Sequence, residues 1–208
     1  PIRGALALAL KAKEKGFSGI VLPEANKEEA ALATGFEVIG CKSLQEVIHW
    51  VRDLLPIPPY QLPEDFWQSR LEDGSSNGHS HSVDFCDIIG NSLAKKALEV
   101  AAAGGHHVIL VGPPGVGKTL LARAFWGILP PLSLEESIEL TKIYSLCGIQ
   151  NDGPSLVVRR PFRSPHHSSS AVALVGGGSN PRPGEISWAH RGILFMDELP
   201  EFPRSVLE

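Results

Sequence analysis

The run Gly112-Pro113-Pro114-Gly115-Val116-Gly117-Lys118-Thr119 restricts this chain more than any other feature. Three glycines in six positions let the backbone curl until successive N–H groups point at one spot, an arrangement that receives an anion. Val108-Ile-Leu-Val111, directly before it, is an apolar run of the kind found in a buried parallel strand, and Leu120 to Phe125 reads as helix. A strand, a glycine turn and a helix N-terminus in that order make a complete Walker A motif, because the helix end is electropositive and favours phosphate. Gly112, Pro113, Pro114, Gly115, Val116 and Gly117 are then the loop that wraps the phosphates of ATP. Lys118 reaches the β/γ-phosphates, and Thr119 offers its hydroxyl to Mg²⁺.

A second motif fits the first. Ile193-Leu-Phe-Met-Asp197-Glu198 is a strand-like run that ends in two carboxylates, as a Walker B motif does. Asp197 is the expected Mg²⁺ residue, and Glu198 is the expected catalytic base that polarises the attacking water, with Lys118 as the catalytic cation. Two acids after a strand are otherwise an ordinary solvated strand end; the Walker A run upstream is what gives them a role. More than 60 residues separate the motifs, so an insertion is expected between them.

The remaining chain sets the context. No run approaches the roughly eighteen apolar residues of a membrane span. The three cysteines, Cys41, Cys86 and Cys147, lack metal-type spacing, and together with the missing N-terminal signal pattern they point to a reducing, cytoplasmic setting without a membrane partner. Of 19 basic and 23 acidic residues, 7 and 7 lie in 1–55, 1 and 5 in 56–86, and 11 and 11 in 87–208. The acidic excess therefore sits in a middle segment that also carries Pro56, Pro58, Pro59 and Pro63 and the polar run from Asp73 to Ser82. That composition reads as a linker, 56–86, between two domains, 1–55 and 87–208. The chain starts without Met and stops within a starting helix, so it is expected to be part of a longer protein.

Before the linker the order reads helix, strand, helix, strand, helix. Residues 4 to 15 favour a helix ending at Gly16, although Leu6, Leu8 and Leu10 alternate. Ser18 to Leu22 and Phe36 to Ile39 read as strands. Asn26 with Glu29, and Ser43 with Glu46, read as helix starts, and Leu44, Val47, Ile48, Val51 and Leu54 lie on one helical face. After the linker, Asp87-Ile-Ile-Gly-Asn91 leads into a helix over Ala94 to Ala103. Ser133 with Glu136 starts another, and Leu156 to Phe162 reads as a strand.

Several weaker patterns carry little. Gly74-Ser-Ser-Asn-Gly78 matches G-x-S-x-G, but no strand precedes it and a linker cannot hold a nucleophile elbow. His79, His81 and Cys86 lack a fourth ligand and a rigid frame for a metal. The pairs His106-His107 and His166-His167 lie at element boundaries and read as packing or hydrogen-bonding residues. From Gly153 to Met196 there are five arginines, Arg159, Arg160, Arg163, Arg182 and Arg191, against the single acid Glu185, an excess of 5 − 1 = 4. With Gly176, Gly177 and Gly178 this basic stretch suits phosphate contact, and in the DNA-acting ring that the resemblance of the segments below implies it is a candidate pore loop, in which Arg163 and Arg182 grip the backbone without reading bases. Subunit contacts are the alternative use of such arginines.

Arg160-Pro-Phe-Arg-Ser-Pro-His-His167, Leu174-Val-Gly-Gly-Gly178, Pro183 to Gly192 and Leu199-Pro-Glu-Phe202 together resemble the magnesium-chelatase-like AAA+ ATPases of the YifB/ComM competence family. The resemblance runs over 84–208, with Asn91 where such proteins often have Gln. Pro1-Ile-Arg-Gly-Ala-Leu6 and the strand ending in Leu22-Pro23 resemble the C-terminal half of a Lon-protease-like domain, which belongs to the same family architecture. The position of the Lon catalytic lysine matches Leu6, and leucine cannot deprotonate a serine, so no peptidase is expected. The resemblance implies an α/β fold, a three-layer parallel P-loop sheet of AAA+ type behind part of a Lon-like (ribosomal S5-like) domain. It implies a ring, a hexamer, that uses ATP and Mg²⁺ to remodel DNA by branch migration during recombination or natural transformation. Two alternatives stay open: the ATPase subunit of a magnesium chelatase, and a truncated product that acts by interaction. The sensor, arginine finger and lid would lie past Glu208, so the 208 residues alone are not expected to turn over ATP.

Overall fold

The computed structural model describes residues 1–70, 83–148, 156–178 and 181–207. In chain order its helices include α1 (Ala5–Glu14), α2 (Lys27–Ala31), α3 (Leu44–Val51), α4 (Ser92–Gly104), α5 (Lys118–Gly127), α6 (Leu134–Cys147), α7 (Ala171–Val175), α8 (Glu185–Trp188) and α9 (Arg204–Leu207). Its strands are β1 (Gly19–Pro23), β2 (Glu37–Cys41), β3 (Phe162–Arg163), β4 (Gly176–Gly177), β5 (Arg182–Pro183) and β6 (Ile193–Leu194). They divide into two compact units, Pro1–Arg70 with Leu134–Val157, and Leu71–Ser133 with Val158–Glu208.

In the first unit β1 and β2 pair in parallel from Gly19↔Glu37 to Pro23↔Cys41, joined by a crossover through α2. A Cβ on Gly19 would meet the Glu37 carbonyl at 2.8 Å, so the two backbones approach closely only because that position is glycine. Leu6, with Ala5 and Ala9, is fully buried while Leu8 stays exposed. Burial of neighbours one and four apart is helical, which settles the alternation of leucines in favour of a helix. Leu6 is thus a core residue. Ser43 caps α3 by accepting from the Glu46 N–H at 3.2 Å, and the Glu46 carboxylate accepts from the Lys42 N–H at 2.8 Å. The apolar face expected on α3 exists, yet Leu44, Ile48 and Val51 are exposed.

Asn26 stands at the N-cap position of α2, as its spacing suggested, but its side chain makes no capping bond. A 3-10 turn over Glu24–Asn26 precedes the helix, and the buried Asn26 amide instead exchanges two bonds of 2.8 Å with the Ile2 backbone. Glu29 is buried beside it. Its carboxylate accepts from the Leu6 N–H at 2.9 Å, from Asn26 at 3.3 Å and from the Ser145 hydroxyl on α6. An acidic side chain from α2 thereby satisfies the N-terminus of α1, where the helix dipole is positive.

Two segments group with the first unit that the sequence had placed elsewhere. Tyr60 donates its N–H to the Val38 carbonyl at 2.8 Å, and Phe66 is buried, although both lie in the 56–86 stretch read as linker. Leu134–Val157, read within the 87–208 module, packs in the same unit through α6; Thr141 Oγ1 accepts from the Val157 N–H at 2.9 Å. Their partners were remote in sequence, which local composition cannot reveal. The G-x-S-x-G run and the histidines at 79 and 81 lie outside the described residues.

In the second unit Phe85, Ile88, Leu98, Leu121 and Ala124 form a cluster against which Leu110 and Ile128 pack. The helix read from Ala94 begins earlier, at Ser92, and ends with Gly105 in the left-handed region at φ +63, the usual glycine terminator. β3 and β6 pair in parallel, Phe162↔Ile193 and Arg163↔Leu194, and the bonds from Ile193 N–H to the Pro161 carbonyl and from Phe195 N–H to the Arg163 carbonyl, both 2.8 Å, flank that pairing. The rings of Trp126, Phe162 and Phe195 line up over it at centroid spacings of 5.8 and 6.0 Å.

Two strand expectations are corrected here. Leu156 to Phe162 contributes only its last residue, as Phe162–Arg163. Val108 to Val111 leads into the glycine loop but forms no strand among the described residues; Leu110 faces the core, while Ile109 is 79% and Val111 92% exposed. An apolar run becomes a buried strand only where neighbours take its N–H and C=O groups.

The Glu29 cluster generates the first test. Glu29→Ala strips the buried Leu6 N–H and Ser145 hydroxyl of their acceptor and is expected to destabilise the first unit by about 3 kcal/mol, since each orphaned buried group costs about 1–3 kcal/mol. Glu29→Gln, which keeps one acceptor oxygen, should lose less. Urea denaturation of the three proteins measures the difference.

Candidate functional site

The glycine loop takes the form its sequence dictates. Gly115 and Gly117 have φ of +79 and +86, and an added Cβ at either would touch nothing within 4 Å, so the backbone angle rather than space selects glycine. α5 begins at Lys118, immediately after Gly117, which leaves the first N–H groups of a ten-residue helix unbonded at the loop. The Lys118 ammonium folds over the loop and donates to the carbonyls of Gly112 and Pro113, 2.9 Å each. Pro114 and Val116 are exposed along the loop, and the Asn91 side chain reaches the Val116 carbonyl at 3.5 Å.

The acidic strand end meets this loop. Thr119 donates its hydroxyl to Asp197 Oδ2 at 2.9 Å, a contact between residues 78 apart in sequence. The two residues expected to share a cation therefore face each other. Asp197 also accepts the Glu198 N–H through Oδ1 at 3.1 Å. Glu198 itself has φ 54 and ψ 47, the left-handed region that a non-glycine residue rarely enters, so the chain turns sharply after β6 and the two carboxylates diverge. Glu198 Oε2 lies 3.5 Å from His167 Nδ1.

The arginines of the 153–196 region have different fates. Arg163 forms a two-pronged pair with Glu185, at 2.6 and 2.7 Å, and lies 5.0 Å over the Trp188 ring. Its charge is engaged within the unit by the one acid of the region. Arg160 donates to the carbonyls of Pro130 at 2.6 Å, Arg191 at 2.7 Å and Pro131 at 3.3 Å, while its own carbonyl accepts from Trp126 Nε1 at 2.7 Å. It ties three loops together. Arg182 is exposed on the β4–β5 hairpin, where Gly176, Gly177 and Gly178 all have positive φ. A Cβ on Gly176 would strike the Arg182 carbonyl at 2.6 Å, so this hairpin is built only with glycine there. Ser179 and Asn180, at its tip, lie outside the described residues.

Sequence reasoning missed the Arg160 clamp, the Glu185 pair and the placing of His167. Glu185 was visible as the lone acid in a basic stretch, and the others had no sequence signal because each depends on tertiary neighbours. Among the described residues no group of three His, Cys, Asp or Glu side chains is placed to hold a metal. Cys86 is exposed, its thiol pushed up by the hydrogen bond with Asp84.

A glycine loop at a helix N-terminus, facing a carboxylate at the end of a parallel strand, defines an α/β protein of the P-loop class. The family model described as magnesium chelatase, subunit ChlI, matches residues 84–208. The chain belongs to this magnesium-chelatase-like AAA+ family, together with YifB and ComM. It is 40% identical to the uncharacterized protein YifB of Escherichia coli over 207 residues, 100% of this chain and 38% of that protein. It is 40% identical to the competence protein ComM of Haemophilus influenzae, over 96% of this chain and 38% of that protein. An uncharacterized protein of Mycobacterium tuberculosis is 44% identical over 100% of this chain and 39% of its own length. Lon protease 2 of Bacillus subtilis matches 56% of the chain at 31% identity, over 22% of that protein. The chain thus spans about two fifths of the length of the first three relatives. No helix among the described residues is long and apolar enough to cross a membrane.

Replacing Arg160 tests its structural role. Arg160→Ala should destabilise the second unit by about 2–3 kcal/mol, because three carbonyls lose charge-assisted bonds. Arg160→Lys should recover little, since one ammonium cannot span the same acceptors. Thermal unfolding of both variants checks this.

Proposed function

We propose that this chain supplies the nucleotide-binding and water-activating half of an AAA+ motor that hydrolyses ATP and remodels DNA. The observation that carries the reading is the Thr119–Asp197 hydrogen bond, which joins the two motifs at one point. The donor set suits a hard cation: a hydroxyl and a carboxylate oxygen, with no thiolate or imidazole on that pair. Thr119 and Asp197 would hold Mg²⁺ beside the phosphates. Bound there, the ion would neutralise phosphate charge and polarise the transferred group.

Each protein group has a definable task. The loop from Gly112 to Gly117 presents backbone N–H groups to the phosphate oxygens, and the α5 dipole adds positive potential. Lys118, already poised above the loop, exchanges its two carbonyl partners for the β/γ-phosphates. Glu198, pointing away from Asp197, accepts a proton from the water that attacks in line. These assignments need the acids to have separate partners, and the left-handed turn at Glu198 is consistent with that.

The finer reading extends the same logic. β3, β6 and the Val108–Val111 segment are taken as part of a three-layer parallel sheet, with 1–55 as the end of a Lon-like domain and 87–208 as the ATPase module. The competence name of one relative and the exposed Arg182 on a glycine hairpin support a DNA-facing pore loop in a hexameric ring. With Arg163 paired to Glu185, the phosphate-gripping charge falls on Arg182 and the Gly176–Gly178 backbone. A magnesium chelatase subunit, the activity in the family's own description, is the second reading.

ATP hydrolysis by the full-length protein, with and without branched DNA, separates them. Glu198→Gln is expected to lower turnover about 10²–10⁴-fold, as loss of a general base does, while ATP still binds. Arg182→Ala should leave DNA-free turnover intact and weaken stimulation by DNA, with a shallower salt dependence. Turnover indifferent to DNA would favour the chelatase reading, and turnover that survives Glu198→Gln would remove Glu198 from the mechanism.

A further inference from the structure

We infer that α6 is an arm through which nucleotide held by the glycine loop acts on the first unit. The inference rests on the reading of that loop as an ATP site and adds what the site is coupled to. α6 is encoded between Lys118 and Asp197, yet it belongs to the first unit, where it packs on α1. Its fit there is specific. Ser137, Leu140, Thr141 and Ser145 are buried and lie along one helical face. The Ser145 hydroxyl donates to Glu29, the same carboxylate that accepts the Leu6 N–H at 2.9 Å in the first turn of α1. Two glycines complete the fit from opposite sides. A Cβ on Gly4 would come within 2.7 Å of Leu146 Cδ2, and one on Gly148 within 2.8 Å of Arg3 Nε, so the start of α1 and the end of α6 each leave room for a side chain of the other.

The excursion of the chain is fastened at both ends. Thr141 Oγ1 accepts the Val157 N–H at 2.9 Å, which pins the returning chain to α6 before it leaves the first unit. At the root, in the second unit, Arg160 donates to the outgoing chain at the Pro130 and Pro131 carbonyls, 2.6 and 3.3 Å, and to the Arg191 carbonyl at 2.7 Å, just before β6. Its own carbonyl accepts from Trp126 Nε1, on α5, at 2.7 Å. The outgoing chain, the returning chain, the helix that follows the glycine loop and the strand that leads to Asp197 therefore meet at one residue. The tethers between root and arm are stiff, since 128–133 contains Pro130 and Pro131 and 158–161 contains Pro161. With little slack to absorb it, a shift of α5 against β6 when nucleotide binds is passed to α6, and through Ser145 and Glu29 to α1. The coupling runs both ways, so a restraint on α1 changes the affinity of the loop for nucleotide by the same factor.

The test is amide hydrogen exchange of α1 and α6 in the full-length protein, with and without Mg²⁺ and a non-hydrolysable ATP analogue. The variant that cuts the path carries two inserted glycines after Leu132 and two more after Val157, which slackens both tethers and leaves Arg160 and α6 their partners. In the wild type the analogue is expected to slow exchange of both helices about fivefold or more, the lower end of ordinary coupling between sites. In the insertion variant that protection should fall below about twofold, while a fluorescent ATP analogue binds within about twofold of wild type. Wild-type exchange that is unchanged in α1 and α6 while α5 becomes protected, or equal protection in the insertion variant, would each overturn the inference. Where the insertion variant fails to bind the analogue, Ser145→Ala combined with Leu146→Ala takes its place, because it loosens α6 from α1 with both tethers intact. Protection of α1 that stays at the wild-type level in that variant overturns the inference equally. An analogue that protects neither α5 nor the glycine loop in the wild type refutes the ATP site itself, a result distinct from all of these.

Discussion

The hydrogen bond between Thr119 and Asp197 is the contact on which the geometry of the second unit's candidate site depends. It spans the loop that closes around an anion and the strand end that presents two acids. Neither piece can do chemistry alone: a loop without the acids binds, and acids without the loop are solvated. The strand end that carries the acids is held by the short parallel ladder of β3 and β6, set by two paired positions and the backbone bonds that flank them. That ladder has few hydrogen bonds of its own, so its position leans on packing. Trp126, Phe162 and Phe195 stack over it, and Arg160 links it to the 130–131 loop and to the turn at Arg191. Gly192 belongs to the same device, because an added Cβ there would run into the Pro161 carbonyl and ring. The parallel approach needs a bare backbone at that point.

The same ladder explains why consecutive residues have separate roles. After Leu194 the chain goes on to Asp197, which faces Thr119, and then turns left-handed at Glu198, which faces His167. Glu198 holds a left-handed backbone conformation that non-glycine residues rarely adopt, and the two adjacent carboxylates have different neighbours. Arginine chemistry divides similarly. Guanidinium groups at 160 and 163 serve the fold through carbonyls and a carboxylate, while Arg182 stands exposed on a hairpin that only glycine can build. A count of positive charge overstated what is available to a nucleic acid, since charges already paired at short range contribute little field at a distance.

The first unit shows a different economy. Its parallel pair of strands and α1 enclose a buried carboxylate, Glu29, that would be costly without its three donors. Leu6, close by on α1, is fully buried and belongs to the core. Resemblance to Lon here is a resemblance of frame, and the chemistry lies in the other unit.

By itself the sequence determined the local pieces: the glycine loop, the helix after it, the acid pair, the capped start of α3 and the two strands around α2. Each follows from interactions within a few residues, such as φ-permissive glycines, a serine accepting from an N–H three residues on, or apolar periodicity. Only the tertiary structure decided the rest. It showed the Asn26 side chain bonded to Ile2 rather than to the first turn of α2, residues 56–70 and 134–148 grouped with the first unit, and Val108–Val111 without a pairing strand among the described residues. It also decided which arginines are spent and that His167 meets Glu198. Those outcomes depend on partners tens of residues away, and the register of two strands or the reach of one guanidinium is not encoded in any local window.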